Sequence, residues 1–408
     1  MRPIVLSGFM ATGKSTVGPR LATRLGLPFL DTDTEIERIS GRRVPDLWRD
    51  EGEAAFRARE GALVESLLTD RTPRVISFGG GTVTTPATRR CAIDRALVVT
   101  LTATPETIAA RVSDLAKRPN LGVGGDPVAR ARELLELRAS AYAECHLALA
   151  TDDLGPEGAV DAIVAALVRD PLLVPLGSRS YVIDVCAGEP ARLTDAIARA
   201  APSSLVLVTD SNVQRARGVA IDAALKPLNV RTTRVTLAPG ESYKTLASVG
   251  TIWDAALGGG VDRDALVVAA GGGVVGDLAG FAAACLLRGV RFVQAPTTLL
   301  SMVDSSVGGK TGFDHAAGKN LIGAFHQPVA VVADLEHLTT LAPRERAAGL
   351  AEAVKIALAT DAGLLDALER NAPALAHGAI DALLPIVRAA IYAKIRVVRD
   401  DEREAGPR

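Results

Sequence analysis

Gly8-Phe9-Met10-Ala11-Thr12-Gly13-Lys14-Ser15 decides how the first part of this chain folds. The stretch fits G-x-x-x-x-G-K-[ST], a phosphate-binding loop. Before it, Ile4-Val5-Leu6 is short, apolar and β-branched, as a buried parallel strand is. After it, Val17, Leu21 and Leu25 recur at helical spacing. The order strand, glycine loop, helix aims backbone N–H groups and a helix N-terminus at an anion. Lys14 is expected to reach the β- and γ-phosphates of a nucleotide, and the Ser15 hydroxyl to ligate Mg²⁺.

The bulk numbers set limits. A chain of 408 residues calls for more than one core. Hydrophobic content of 48%, charged content of 23% and a net charge of −1 describe a soluble globular protein. That charge balance gives no ground for a nucleic-acid or membrane partner, and 3% aromatic residues give little for bases to stack on. No apolar run approaches the ~20 residues that span a bilayer. The N-terminus runs directly into the first strand, which leaves no room for a signal peptide. Cys91, Cys145, Cys186 and Cys285 show no metal or redox spacing, so reduced thiols and a cytoplasmic location are expected.

Further along, Phe29-Leu30-Asp31-Thr32-Asp33 reads as a strand end. Carboxylates at i and i+2 would then point the same way, one toward a Mg²⁺ shell and one toward a substrate hydroxyl. Gly52-Glu53-Ala54-Ala55-Phe56-Arg57 opens a helix whose arginine could grip a carboxylate. Val75-Ile76-Ser77-Phe78 is a strand running into Gly79-Gly80-Gly81-Thr82, where glycines allow a ligand close to the backbone. Leu97 to Leu101 is another buried strand, followed by Thr104-Pro105-Glu106 as cap, first-turn proline and first-turn acid. Lys117 to Gly125 has the composition of a mobile lid.

Taken together, these segments resemble shikimate kinase over roughly the first 165 residues, with Arg118-Pro119 and Arg138 with Tyr142 completing the pattern. The resemblance implies ATP binding by Gly8, Ala11, Thr12, Gly13, Lys14, Ser15 and Thr16, with Arg111 on the adenine side and Arg118 on the transferring phosphate. It implies shikimate held by Asp33, Arg57, Arg138 and the Gly79, Gly80, Gly81 triplet. Asp33 would orient or activate the attacking hydroxyl, and Asp31 would join Ser15 at Mg²⁺. After Arg118-Pro119 the family usually has two leucines, where this chain has Asn120-Leu121 and extra glycines.

A Pro-containing joint, Asp170 to Gly177, precedes a second α/β pattern beginning at Tyr181 to Val185. Leu205 to Val208 is a strand ending at Asp210-Ser211-Asn212. Ala265 to Ala270 runs into Gly271-Gly272-Gly273-Val274-Val275-Gly276-Asp277, which fits G-x-G-x-x-G. No acidic strand end follows about 20 residues on, so Asp210 is the best candidate for reading a ribose. Pro239 to Lys244, Pro296 to Leu300, Val303 to Thr311, Gly318 to Gly323 and Gly349 to Lys355 then look like 3-dehydroquinate synthase.

That second resemblance implies NAD⁺ on Asp210, Asn212, Glu241, Lys244, Gly273, Asp277, Thr297, Thr298 and Lys319. It implies substrate on Asp304, Lys310, Asn320, Lys355, Lys394 and Arg408, with Arg288 serving across a dimer interface. Zn²⁺ or Co²⁺ would have Glu352 as one ligand. In the family the remaining ligands follow the segment Asp400 to Arg408, so the metal site is expected to be incomplete and synthase activity absent. His315, His326, His337 and His377 are expected to be structural or exposed. The helices from Pro343 to Arg399 are expected to leave an apolar face uncovered.

The fold expectation is α/β throughout: a P-loop kinase domain with a parallel sheet (1–170), a Rossmann-like NAD-binding domain (178–340), and the start of a helical domain (341–408). The functional expectation is ATP-dependent phosphorylation of shikimate by a monomeric kinase half beside a homodimeric, inactive synthase half, both acting on small molecules. Two other readings stay open, a kinase fused to a non-catalytic NAD-binding or dimerising module, and a P-loop kinase for another small molecule.

Overall fold

A computed structural model describes residues 1–112, 121, 125–152 and 154–406. The chain packs as two units, Met1–Ser180 and Tyr181–Arg408.

In the first unit, β1 (Ile4–Ser7) feeds the glycine loop and then α1 (Lys14–Leu25). β2 (Phe29–Asp31) is followed by α2 (Thr32–Ser40) and α3 (Val44–Thr69). Gly52 interrupts α3 at φ 84°, so a fresh helical piece begins beside Glu53, as the sequence suggests. β3 (Val75–Ser77), α4 (Pro86–Arg95), β4 (Leu97–Thr102), α5 (Pro105–Arg111), α6 (Pro127–Ala143), β5 (Leu147–Ala150) and α7 (Gly155–Arg169) complete the unit. Thr104 caps α5 by accepting from Thr107 N at 3.2 Å.

The sheet runs β2-β3-β1-β4-β5, all parallel. Because β1, β2 and β3 run parallel as neighbours, the loops leaving all three open at the carboxyl end of the sheet, where α/β folds place ligands. Ile4, Leu6, Val75, Leu97, Val99 and Leu101 pack with Val17 and Leu21 of α1 and with Val160 and Ile163 of α7.

The second unit is again a parallel sheet. Its strands are β6 (Tyr181–Cys186), β7 (Leu205–Asp210), β8 (Thr232–Leu237), β9 (Leu266–Gly271), β10 (Arg291–Pro296) and, after a hairpin of β11 (Lys310–His315) with β12 (Gly318–Phe325), β13 (Ala330–Asp334). Within the unit they lie in the order β6-β13-β10-β9-β7-β8. One face packs α8 (Ala191–Ala200) and α9 (Ser211–Leu225); the other packs α10 (Leu246–Gly258) and α11 (Gly273–Cys285). The helices α12 (Pro343–Thr360), α13 (Ala362–Arg370), α14 (Ala372–His377) and α15 (Ile380–Asp400) follow.

These helices correct one expectation. They bury Ile356, Leu364, Leu368, Leu375, Leu383, Val387, Ile391 and Val398 among themselves and the rest of their unit. Among their described large apolar residues only Val354 and Leu358 are exposed. Leu383, Val387, Ile391, Ile395 and Val398 fall at helical spacing along α15, so its apolar stripe is covered by its neighbours. All four cysteines are free, and no described helix is long and apolar enough to cross a membrane.

Candidate functional site

The phosphate loop sits where β1 ends. Gly8 has φ 134°, and a Cβ there would collide with the Leu101 carbonyl. Gly13, at φ 102°, occupies the cap position of α1 with no side chain satisfying the first N–H groups. Those N–H groups, plus the helix dipole, form an anion site. Lys14 Nζ donates to Gly8 O at 2.7 Å and Phe9 O at 2.8 Å, which holds it folded along the loop. Arg111 donates to Ala11 O at 3.3 Å and Thr151 O at 2.8 Å, while Thr151 Oγ1 donates to Thr12 O at 3.0 Å. Loop, α5 and the segment after β5 are thereby tied together.

A cleft of about 1090 Å³ opens over this loop, and Lys14, Ser15, Asp31, Asp33, Gly80 and Arg111 line it. Asp31 and Asp33 meet there, but not as alternate residues of a strand. β2 stops at Asp31, and Thr32 begins α2. Asp31 is the helix cap, its Oδ1 accepting from Asp33 N at 3.1 Å and Thr34 N at 3.3 Å. Capping outcompetes strand continuation because Asp satisfies the orphan donors of the first turn. Asp33 reaches the cleft from that turn.

The glycine triplet makes the other wall. A Cβ on Gly79 would lie 2.8 Å from Asp33 Oδ1, and one on Gly81 would overlap the Arg57 guanidinium. Arg57 donates to Glu60 Oε2 at 2.6 Å and lies over the Trp48 ring, 5.4 Å from its centroid. Arg138 donates to Gly80 O at 3.2 Å and sits 5.5 Å from the Phe9 ring centroid. Tyr142 donates to the same Gly80 O at 2.5 Å, and burial pushes its phenol pKa up. The two arginines, 81 residues apart in sequence, therefore converge on one triplet. The expected lid residue Arg118 lies outside the described residues, as do Lys117, Pro119 and Asn120.

Glu60 and Thr82 carry no role in the sequence reading. Glu60 is buried, and Thr82 Oγ1 donates to its Oε1 at 2.5 Å. The i, i+3 spacing of Arg57 and Glu60 on one helix was the available signal; the link to Thr82 had none. Ser77 Oγ, on the cleft wall, is buried without a partner among the described residues.

In the second unit the strand–glycine–helix turn forms as the sequence predicts. β9 ends at Gly271, Gly272 caps α11 without a side chain, and a Cβ on Gly273 would press to 3.1 Å from Ser305 Oγ. Lys244 is buried and donates to Asp277 Oδ2 at 2.6 Å and Asn320 Oδ1 at 2.5 Å. Burial raises the Asp277 pKa, and the Lys244 charge opposes that rise. Lys319 meets Glu241 at 3.1 Å. Thr297 Oγ1 is buried without a partner among the described residues, and Thr298 Oγ1 donates to Ser301 Oγ at 2.9 Å. Asp210 caps α9 through Asn212 N and Val213 N. A helix end without a side-chain cap, glycines whose Cβ positions are crowded by Val275, Thr298 and Ser305, and an orphaned hydroxyl fit a dinucleotide.

The lysines expected at the ring substrate are paired with acids. Lys394 meets Asp304 at 2.5 Å, and Lys310 meets Glu404 at 2.7 Å, a carboxylate absent from the sequence reading. Arg288 stands at φ 68°, and Arg408 lies outside the described residues. Glu352 meets Lys355 at 2.5 Å. Among the described residues no three His, Cys, Asp or Glu side chains are grouped to hold a metal. Two of the expected histidines pack, His326 stacking on Phe292 at 5.2 Å and His337 driven to a pKa of about 4 by desolvation, while His315 and His377 are exposed.

Residues 10–168 match the shikimate kinase family model. Residues 234–348 and 349–408 match those of the 3-dehydroquinate synthase N-terminal and C-terminal domains. The chain is a fusion of a shikimate kinase domain with a 3-dehydroquinate synthase domain. Among solved structures, ValA, the 2-epi-5-epi-valiolone synthase of Streptomyces hygroscopicus subsp. jinggangensis 5008 with NAD⁺ and Zn²⁺ bound, is 32% identical, with a TM-score of 0.52. That match covers 55% of this chain and 63% of ValA. A 2-deoxy-scyllo-inosose synthase complexed with carbaglucose-6-phosphate, NAD⁺ and Co²⁺ is 25% identical, with a TM-score of 0.50, covering 58% of this chain and 64% of that one. The chain thus spans under two thirds of either synthase. Shikimate kinase of Acinetobacter baumannii in complex with shikimate is 33% identical over 42% of this chain and 94% of its own, with a TM-score of 0.39.

Proposed function

We propose that the first unit transfers the γ-phosphoryl group of ATP to the 3-hydroxyl of shikimate. The observation that carries this is the convergence of Asp33, Arg57 and Arg138 on the Gly79–Gly81 triplet beside the phosphate loop. The loop N–H groups and Lys14 take the phosphates, Lys14 leaving its loop carbonyls for them. Ser15 and Asp31 present oxygen ligands that suit a hard cation such as Mg²⁺, which when bound neutralises charge on the β- and γ-phosphate oxygens. Arg57 and Arg138 hold the substrate carboxylate bidentately. Asp33 accepts the proton as the hydroxyl oxygen bonds to the γ-phosphorus, and the bond from that phosphorus to the β-bridging oxygen breaks to release ADP. Arg118 is assigned to the transferring phosphate from the lid segment. An ADP-coupled assay on the purified chain tests the reading: ADP release must depend on shikimate. ATP binding without that dependence would sink it.

For the second unit the reading is NAD⁺ binding at Gly271–Gly273, Lys244, Asp277, Thr297 and Asp210, with the unit self-associating as a homodimer. With Glu352 standing alone among the described residues, the dehydroquinate synthase reaction is not expected from this chain. Conversion of the phosphorylated seven-carbon substrate in the presence of NAD⁺ and Zn²⁺ would overturn that.

A further inference from the structure

Thr32 lies between two functional carboxylates and is fully buried. Backbone pairing of β2 with β3 ends at Asp31 opposite Ser77, because the chain turns into α2 at the next residue. The Thr32 side chain extends the connection past that point. Its Oγ1 donates to Ser77 O at 3.2 Å and accepts from Gly79 N at 3.1 Å. One hydroxyl therefore replaces two ladder bonds and clips the start of α2 to the start of the glycine triplet. Gly79 is the place where Asp33, Glu60 and Thr82 all come within reach of a Cβ that is not there.

We infer that Thr32 is a positioning residue for phosphoryl transfer, acting through Asp33. The inference rests on the proposed shikimate kinase activity. The clip sets the distance from the Asp33 carboxylate to the Gly79–Gly81 wall, and so the placement of the base against the acceptor hydroxyl. Valine has nearly the same shape but no hydroxyl, so Thr32→Val leaves Ser77 O and Gly79 N unpaired while keeping the packing. Serine keeps the hydroxyl.

The test is steady-state kinetics of the full chain with shikimate and ATP varied separately. Thr32→Val should lower kcat about 10- to 100-fold, as small misplacements of a catalytic group do. KM for ATP should stay within about twofold, because both bonds of the clip, to Ser77 O and from Gly79 N, involve no atom of the phosphate loop. Thr32→Ser should restore kcat to within about threefold. In an Asp33→Asn background, Thr32→Val should add nothing further, since coupled residues fail additivity. Thr32→Ala serves if the valine variant does not fold. A Thr32→Val enzyme with wild-type kcat, or an equal loss added on top of Asp33→Asn, overturns the inference and leaves the kinase reading intact. A wild-type chain with no shikimate-dependent turnover overturns both.

Discussion

Arg57 Nη1 donates to Glu60 Oε2 across 2.6 Å, and only 2% of the Glu60 side chain is exposed. Helix α3 sets this pair at i, i+3, and Thr82 closes it from the loop after the glycine triplet. Removing one member of a buried pair costs on the order of 3–5 kcal/mol, because the other charge is stranded. Glu60→Ala should therefore lower the melting temperature of the first unit. It should also raise KM for shikimate by tenfold or more, on the order of 1.4 kcal/mol, while KM for ATP stays near wild type. Calorimetry and two-substrate kinetics check both.

Gly81 faces the Arg57 guanidinium with no space for a methyl group. Gly81→Ala should displace Arg57 and weaken shikimate binding without disturbing nucleotide. Titration calorimetry with shikimate and, separately, with ADP reads the difference. Equal loss of both ligands would count against this placement of Arg57.

Lys14 and Asp33 are assigned to opposite ends of the transfer. Lys14→Ala should cut kcat by about 10²–10³, the usual loss when one preorganised electrostatic group is removed. Asp33→Asn should cut it by about 10²–10⁴ through loss of the base. ATP binding should survive the second change and weaken in the first.

His337 gives a pH signature in the second unit. Its folded-state pKa is depressed to about 4 by desolvation, with Asp334 opposing and Arg217 adding to the fall. Between its usual value near 6.5 and about 4 the unfolded chain binds the proton and the folded one does not. Stability is therefore lost as pH falls through that window, by on the order of 2–3 kcal/mol. His337→Gln should flatten the acid side of the second unit's melting curve between pH 6.5 and 4. An unchanged slope would show that this ring is not what titrates.

NAD⁺ should stabilise the same unit, by about 2.7 kcal/mol at one hundred times Kd. Lys244→Ala should abolish that gain, since it removes the buried cation paired with the half-buried Asp277 carboxylate.

Much of the site was legible because its signals are local. The phosphate loop, its strand and its helix are contiguous, and Gly271–Gly273 reads the same way. Asp31-Thr32-Asp33 was legible in composition but not in geometry, because a helix cap and a strand end use the same residue types. Thr32's partners, Ser77 and Gly79, and Glu60's partner Thr82 are separated from them in sequence, and only the β2–β3 pairing and the packing of α3 bring them together. The helices from Pro343 to Arg399 looked uncovered in sequence because apolar spacing marks a buried face without naming its partner, and here α12, α13 and α14 supply that partner for α15.

The most direct test of the central claim is product identity. The purified full chain, incubated with ATP, Mg²⁺ and shikimate, should yield shikimate phosphorylated at its 3-oxygen by phosphorus and proton NMR, with one ADP per product and none from Asp33→Asn. Phosphate on a different hydroxyl, or no phosphorylated shikimate from an enzyme that binds ATP, would contradict the account.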